Sequence, residues 1–371
     1  MIMPWLRAVA LFGCAALAGA CSPKKLEEPR PDAGAKAKPE PKKRVNPYAS
    51  MQAVKLGEHK GGANFVGFSP DGSLLVSTGK DKTVEVYDYR AGKLLAELKG
   101  HTGDVMMAAF SPDGKKLVSA SADESARIWD LDRRKQLVVL KEKPPKKKKL
   151  TEEEEAALAA LPPPQVNWAA FHPTLPQVIT ASDDFALKLW DLKTGKKLET
   201  FVDEGCRQRR VYRRRDGAGW VSSAGCMDDG VAYLKYWDEA GQLVGSYGNE
   251  DRDSHYLAFD RAGRFLVTAD GSLGFNVYSV QGSFLKRALV GTYHFCLAFG
   301  PGDETLLIGT DGGLVLVFDV ESWKRIGHLD VGSKVAVDSL AVNPADESLA
   351  VALRDGKVLR FAEPIRLPKK G

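Results

Sequence analysis

Hydrophobic stretches of this chain run, seven times over, into a tight polar turn: Phe68-Ser69-Pro70-Asp71-Gly72, Phe110-Ser111-Pro112-Asp113-Gly114, Phe171-His172-Pro173, Asp216-Gly217, Phe259-Asp260-Arg261-Ala262-Gly263, Phe299-Gly300-Pro301-Gly302-Asp303 and Val342-Asn343-Pro344-Ala345-Asp346. Each unit continues with an apolar strand, an Asp-containing turn, a strand ending in Trp-Asp or an aromatic substitute, and a fourth strand. The units recur about every 40 to 45 residues, a period that marks a propeller. One insertion, at 141–165, breaks the period.

Columns read across the units support this. One residue before the turn's Phe stand Gly67, Ala109, Ala170, Ala258, Ala298 and Ala341, small as strands converging on a crowded axis require. The Phe column reads Phe68, Phe110, Phe171, Phe259, Phe299 and, last, Val342. The fourth unit breaks both columns with Tyr212 and Arg213, and its turn reads as one residue longer. Gln52-Ala53-Val54-Lys55-Leu56 stands before His59 as Leu94-Leu95-Ala96-Glu97-Leu98 stands before His101, so it is a fourth strand without a blade of its own. The last unit supplies three strands. The prediction is an all-β, seven-bladed β-propeller of four-stranded antiparallel blades, closed by the N-terminal strand completing the last blade, which removes an exposed sheet edge. Ile365-Arg366-Leu367 competes for that place, but Pro364 and Pro368 make it a poor partner.

The second unit is the fullest: Gly100-His101, the Phe110 turn, Leu117 to Ser121, Asp123, and Arg127-Ile128-Trp129-Asp130. It resembles the WD-repeat family, and the resemblance covers residues 51–367. It implies a hydrogen-bonded chain of His101, Ser119 or Ser121, Asp123 and Trp129 that staples the outer strands, stabilising if every member is satisfied. His59, Asp81 and Tyr87 keep part of it in the first unit, Asp184 and Trp190 in the third, and Trp237 in the fourth, while Tyr278, Phe318 and Phe361 replace the Trp in the last three.

Composition agrees with one sizeable globular core: 371 residues, 44% hydrophobic and 27% charged. A net charge of +5 is modest for this length and argues for no nucleic-acid partner. The N-terminus says more. Arg7 precedes an apolar run from Ala8 to Ala20, then Cys21-Ser22-Pro23 and polar sequence. Residues 1–20 read as a signal peptide. Leu17-Ala18-Gly19-Ala20-Cys21 resembles a bacterial lipobox, which implies lipidation of Cys21 and, with Ser22 following, the outer membrane. Leu17 sits one place early for that motif, and Ala18-Gly19-Ala20 also fits ordinary cleavage to a soluble exported form. Residues 21–50, Pro- and Lys-rich with almost nothing to bury, read as a disordered tether, and 368–371 as a tail.

Arg207-Gln208-Arg209-Arg210-Val211-Tyr212-Arg213-Arg214-Arg215 places six Arg in nine residues. On a first strand, which lines a propeller's channel, clustered guanidinium groups would meet carboxylates or phosphates of an anionic partner. The partner-binding candidates are Arg207, Arg209, Arg210 and Arg213. The alternative is a solvated strand balanced by Asp203, Glu204, Asp228 and Asp229. In the insertion, Thr151 and Glu154 suggest a capping box opening a short helix that ends at Pro162, a protruding charged arm.

Cys206 enters the fourth unit near the place of His101 in the second, and Cys226 follows its second strand where Asp123 stands. Because the family resemblance brings those two places together, a Cys206–Cys226 disulfide is expected to take over the staple there; export permits it. Cys296 is expected as a buried free thiol. Catalysis has thinner support. Asn64, Asn167 and His255 stand four residues before the Phe column, with His294 and Asp338 nearby, a conceivable ring for a hard cation. No nucleophile–base pairing or phosphate loop accompanies them. The reading is a non-catalytic, monomeric protein-interaction scaffold of the cell envelope without cofactor; the alternative is a metal-dependent hydrolase or lactonase at the channel mouth.

Overall fold

The computed structural model describes residues 46–142, 164–203, 205–214, 217, 219–226, 232–249, 256–269, 274–365 and 367. The insertion's helix, Cys21, residues 21–45 of the tether and His255 lie outside them; residues 46–50, expected as the tether's end, are described, and Tyr48 among them is buried in the core. The chain divides into residues 1–46 and 47–371, and the propeller is the second of these units.

Seven antiparallel sheets, each of four strands, form the blades. In blades 1 to 6 the strands pair in chain order. Blade 7 orders Val54–Glu58 beside Lys357–Phe361, then Leu349–Leu353, then Val337–Val342. The N-terminal strand therefore closes the ring, with Val54 opposite Arg360 and Glu58 opposite Lys357. Ile365 takes no strand position. It is buried with Tyr48 in the core cluster of blade 7, and burial pushes the Tyr48 phenol up to about 12.

Burial peaks in the second strand of each blade and falls toward the rim, and the residue choice follows it. The second strands are covered on both faces, and Leu349–Leu353 and Thr305–Thr310 are buried at every position, which is why they read as unbroken runs instead of alternating. The fourth strands, such as Lys93–Leu98 and Phe284–Leu289, are mostly exposed. Successive first strands pack side by side from blade 1 to blade 4, from 5 to 7, and from 7 back to 1. Side chains bridge blades 4 and 5: Arg210 lies 4.2 Å over the Tyr256 ring and Tyr212 meets Phe259 at 6.4 Å.

Six of the first strands carry a register shift at one position, between Ala63 and Phe65, Val105 and Met107, Val166 and Trp168, Gln208 and Arg210, His294 and Cys296, and Val337 and Ser339. A bulge there re-aims the extra side chain. Asn64 Nδ2 donates to the Val105 carbonyl at 2.9 Å and Asn167 Nδ2 to the Gln208 carbonyl at 3.0 Å, clasping each blade to the next. On the far side of the ring Asn343 Nδ2 donates to the Gly72 carbonyl at 3.1 Å, joining blade 7 to blade 1. Gly72 is required in that joint: its φ is +71°, and a Cβ would stand 2.0 Å from Asn343 Oδ1.

In blade 4, Arg213 lies opposite Trp220 as Phe110 lies opposite Leu117. Both turns therefore have the same length, correcting the longer turn expected from sequence. Tyr212 occupies the small-residue column and packs on Trp168 at 5.2 Å between ring centroids, filling space that alanine leaves elsewhere.

Candidate binding surface at the channel and the staples behind it

In blade 2 the structure brings His101, Ser119, Asp123 and Trp129 together. Trp129 Nε1 donates to Ser119 Oγ at 2.8 Å, Ser119 Oγ lies 2.7 Å from His101 Nε2, and His101 Nδ1 lies 2.8 Å from Asp123 Oδ2. The Asp123 carboxylate can only accept, so the neutral imidazole carries its proton on Nδ1 and its Nε2 accepts from the Ser119 hydroxyl, which in turn accepts from Trp129. Ser121 instead donates to the Gly103 carbonyl. Burial pulls the His101 pKa below its ordinary value, with Asp123 partly opposing. Burial works against ionisation of Asp123, but hydrogen bonds from His101, Ser125 and the Thr102 amide together outweigh it and hold the carboxyl well below the usual range.

Blade 1 repeats the chain with His59, Ser77 and Asp81, at 2.7 and 3.0 Å, and Tyr87 in the Trp place. In blade 3 Trp190 Nε1 donates to Thr180 Oγ1 at 2.9 Å, and Lys188 ion-pairs with Asp184.

Blade 4 builds its staple on the expected Trp237 but completes it with Ser222, Gln208 and Asp203, which sequence reading did not assign to it. Trp237 Nε1 donates to Ser222 Oγ at 2.9 Å, Ser222 Oγ to Gln208 Oε1 at 2.8 Å, and Gln208 Nε2 to Asp203 Oδ2 at 3.0 Å. Gln208 sits inside the first strand, where Val105 sits in blade 2, and its length reaches the serine that a histidine reaches elsewhere. Cys206 and Cys226 are joined in a disulfide. They are the terminal residues of Cys206–Arg213 and Trp220–Cys226, directly opposite each other in the ladder. The disulfide therefore stands beside the hydrogen-bonded chain and does not take its place. Cys296 is a buried free thiol, pushed up by burial, with its Sγ 3.3 Å from the Val337 carbonyl.

Arg207, Arg209, Arg210 and Arg213 lie on the first strand of blade 4, Cys206–Arg213; Arg214 follows it and Arg215 lies outside the described residues. Asp183, from the turn of blade 3, takes a hydrogen bond from Arg209 Nη1 at 2.9 Å and lies 4.0 Å from Arg207. Arg213 ion-pairs with Glu239, donates to the Gly217 carbonyl at 2.7 Å and lies 5.2 Å over Trp220. The balancing acids are thus Asp183 and Glu239, while Asp203 is engaged by Gln208 and by Lys235 at 3.3 Å; Glu204, Asp228 and Asp229 lie outside the described residues. Arg210 stacks between Trp168, at 4.5 Å, and Tyr256, at 4.2 Å, and Trp168 in turn meets Phe65 edge-on at 5.5 Å. An aromatic–cation stack therefore crosses the hub.

The residues of the metal alternative have other partners. Asn64 and Asn167 clasp blades, and Asn167 also donates to Asp183 at 2.7 Å. Asp338 accepts from Arg354 at 2.7 and 3.2 Å. His255 and the side chain of His294 lie outside the described residues. Among the described residues no three His, Cys, Asp or Glu gather where they could hold a metal ion.

The family profile described as "WD domain, G-beta repeat" matches residues 51–88, 92–130 and 161–191. Those segments are similar to WD repeats. They coincide with the blades in which the Trp or Tyr staple is read most directly, and they sit in a β-propeller of seven blades. The chain is 44% identical over 187 residues to the WD repeat-containing protein SL1-17 of Schistosoma mansoni, covering 50% of this chain and 60% of that protein. It is 22% identical over 208 residues to periodic tryptophan protein 2 of Saccharomyces cerevisiae, covering 44% of this chain and 22% of that one. It is 53% identical to the yeast coatomer subunit alpha over 34 residues, 9% of this chain and 3% of that protein. The chain thus spans about 60% of the first of these relatives and far less of the others.

Proposed function

We propose that this WD-repeat propeller is a non-catalytic protein-interaction scaffold of the bacterial cell envelope. One observation carries the reading: among the described residues, asparagines of the first strands and turns clasp one blade to the next, and buried histidines staple strands within a blade. Asn64, Asn167 and Asn343 bond to backbone of the adjoining blade, and His59 and His101 are enclosed in staples. What remains is a rigid closed surface whose loops can differ freely, which suits recognition of another protein. The partner is anionic where it meets Arg207, Arg209, Arg210 and Arg213. The apolar run ending at Cys21 supports a lipid anchor and export, and the Cys206–Cys226 disulfide fits an oxidising compartment.

Affinity capture from crosslinked membranes tests the reading. A protein partner recovered in stoichiometric amount is expected. A stoichiometric divalent ion in the purified protein, with hydrolytic activity dependent on it, would favour the hydrolase instead.

A further inference from the structure

We propose that Arg210 receives a carboxylate that a protein partner inserts into the propeller channel, an inference that rests on the scaffold reading above. Within the run, Arg207 and Arg209 share Asp183 and Arg213 has Glu239. Arg210 has no such acid among the described residues. Among the described residues its side chain makes one hydrogen bond, to the Tyr212 hydroxyl at 3.4 Å, beyond the range of a strong bond. Its charge rests on the Trp168 and Tyr256 rings, yet aromatic faces accept none of the five in-plane N–H donors of a guanidinium. None of its nitrogens is among the buried side-chain atoms left without a partner, so solvent reaches them and a carboxylate would take the place of that solvent as a charge-assisted acceptor. Arg210 is partly exposed, so the acceptor can come from the solvent side.

Asp183 displays the chemistry the strand takes. Its carboxylate gathers Arg209 Nη1 at 2.9 Å and Asn167 Nδ2 at 2.7 Å on one oxygen, with Arg207 4.0 Å from the other. One carboxylate against these guanidinium groups leaves the strand with positive charge in excess. The planar fork of Arg210, preset by the two rings, matches a second carboxylate in bidentate fashion. The aromatic surroundings of Phe65, Trp168 and Tyr256 suit the slim stem of a Glu or Asp side chain. The ligand is accordingly an acidic peptide segment.

The probe is a fluorescein-labelled hexaglutamate peptide titrated against the full chain, read by anisotropy. Saturable binding that weakens with added salt is expected. Arg210→Gln and Arg210→Lys should each lose about tenfold in affinity, since lysine keeps the charge without the fork. Arg133→Gln, at the exposed Asp130 pair, should bind as the parent does. Asp183→Asn releases Arg207 and Arg209 and should tighten binding several-fold, a gain that a misfolded variant does not give. No saturable binding, unchanged affinity in Arg210→Gln, no gain in Asp183→Asn, or stronger competition by inorganic phosphate than by acetate would each overturn the proposal. If a captured partner is held equally by the parent and Arg210→Gln, the scaffold stands and the carboxylate site falls. Capture of no partner by the parent would remove the scaffold reading itself.

Discussion

Ser119 carries the blade 2 staple because its single oxygen both accepts from Trp129 and donates to His101. Ser119→Ala leaves two buried nitrogens without partners, and chemical denaturation should show a loss of about 1 to 3 kcal/mol. The same chain makes stability depend on pH. A base whose folded pKa is lowered, as for His101, takes up its proton first in the unfolded chain. Its contribution is therefore complete above the unfolded value of about 6.5 and is lost as pH falls below it. Asp123, also lowered, contributes fully above about 3.9 and loses its share as pH falls further. Unfolding free energy should accordingly decline from about pH 7 to 5, and His101→Gln should flatten that decline; parallel slopes in the two proteins would refute the assignment. The blade 2 quartet was legible through the family resemblance of its unit, with Ser119 and Ser121 both open until the structure chose Ser119. Gln208 and Asp203 were not, because the repeat pattern puts the polar residue ahead of the first strand, and blade 4 places it within that strand. Asp183 went unnoticed beside the Arg run for a related reason: it is distant in sequence and adjacent only across a blade boundary.

At the scale of elements, the repeat fixed what pairs with what, since a period of this size leaves an unmatched strand at one end and an incomplete blade at the other. Val54–Glu58 fills that gap, continuing the sheet beyond Lys357–Phe361. Removing residues up to 46 should leave the propeller's cooperative unfolding intact. Removing them through Glu58 exposes the edge of Lys357–Phe361 and takes Tyr48 out of the cluster that buries Ile365, so the transition should broaden and the protein should self-associate; an equally sharp transition for both truncations would refute closure by this strand. The bulges could not be read from the chain, because a bulge exists only relative to the register of a partner strand. They explain why Asn64, Asn167 and Asp338 resembled a ligand ring: a shared column can arise from shared backbone geometry alone. The disulfide is a second element-level device. It closes a separation of 20 residues, and Cys206→Ser with Cys226→Ser should cost about 3 kcal/mol by the chain-entropy argument. The staple through Gln208 should keep blade 4 folded in that variant.

For the whole molecule, the cysteines link fold to address. Cys296 is enclosed and pushed away from thiolate formation by burial, so it should resist alkylation in the native protein. Cys206 and Cys226 should map as a linked pair by non-reducing peptide mapping of protein isolated from the envelope, whereas free, alkylated Cys206 and Cys226 would contradict both the disulfide and an oxidising location. Cys21 then bears the remaining claim. The apolar run from Ala8 to Ala20 ends immediately before it, and lipidation there, followed by a Pro- and Lys-rich segment, would hold the propeller near a bilayer with its binding surface free. Cys21→Ser should release the protein from the membrane fraction or leave a larger unprocessed precursor, while the propeller's unfolding transition stays unchanged because residue 21 lies outside the 47–371 unit. A variant that fractionates and migrates like the parent would remove the anchor and leave Ala18-Gly19-Ala20 as the site of ordinary cleavage; the disulfide map would still decide whether the protein is exported.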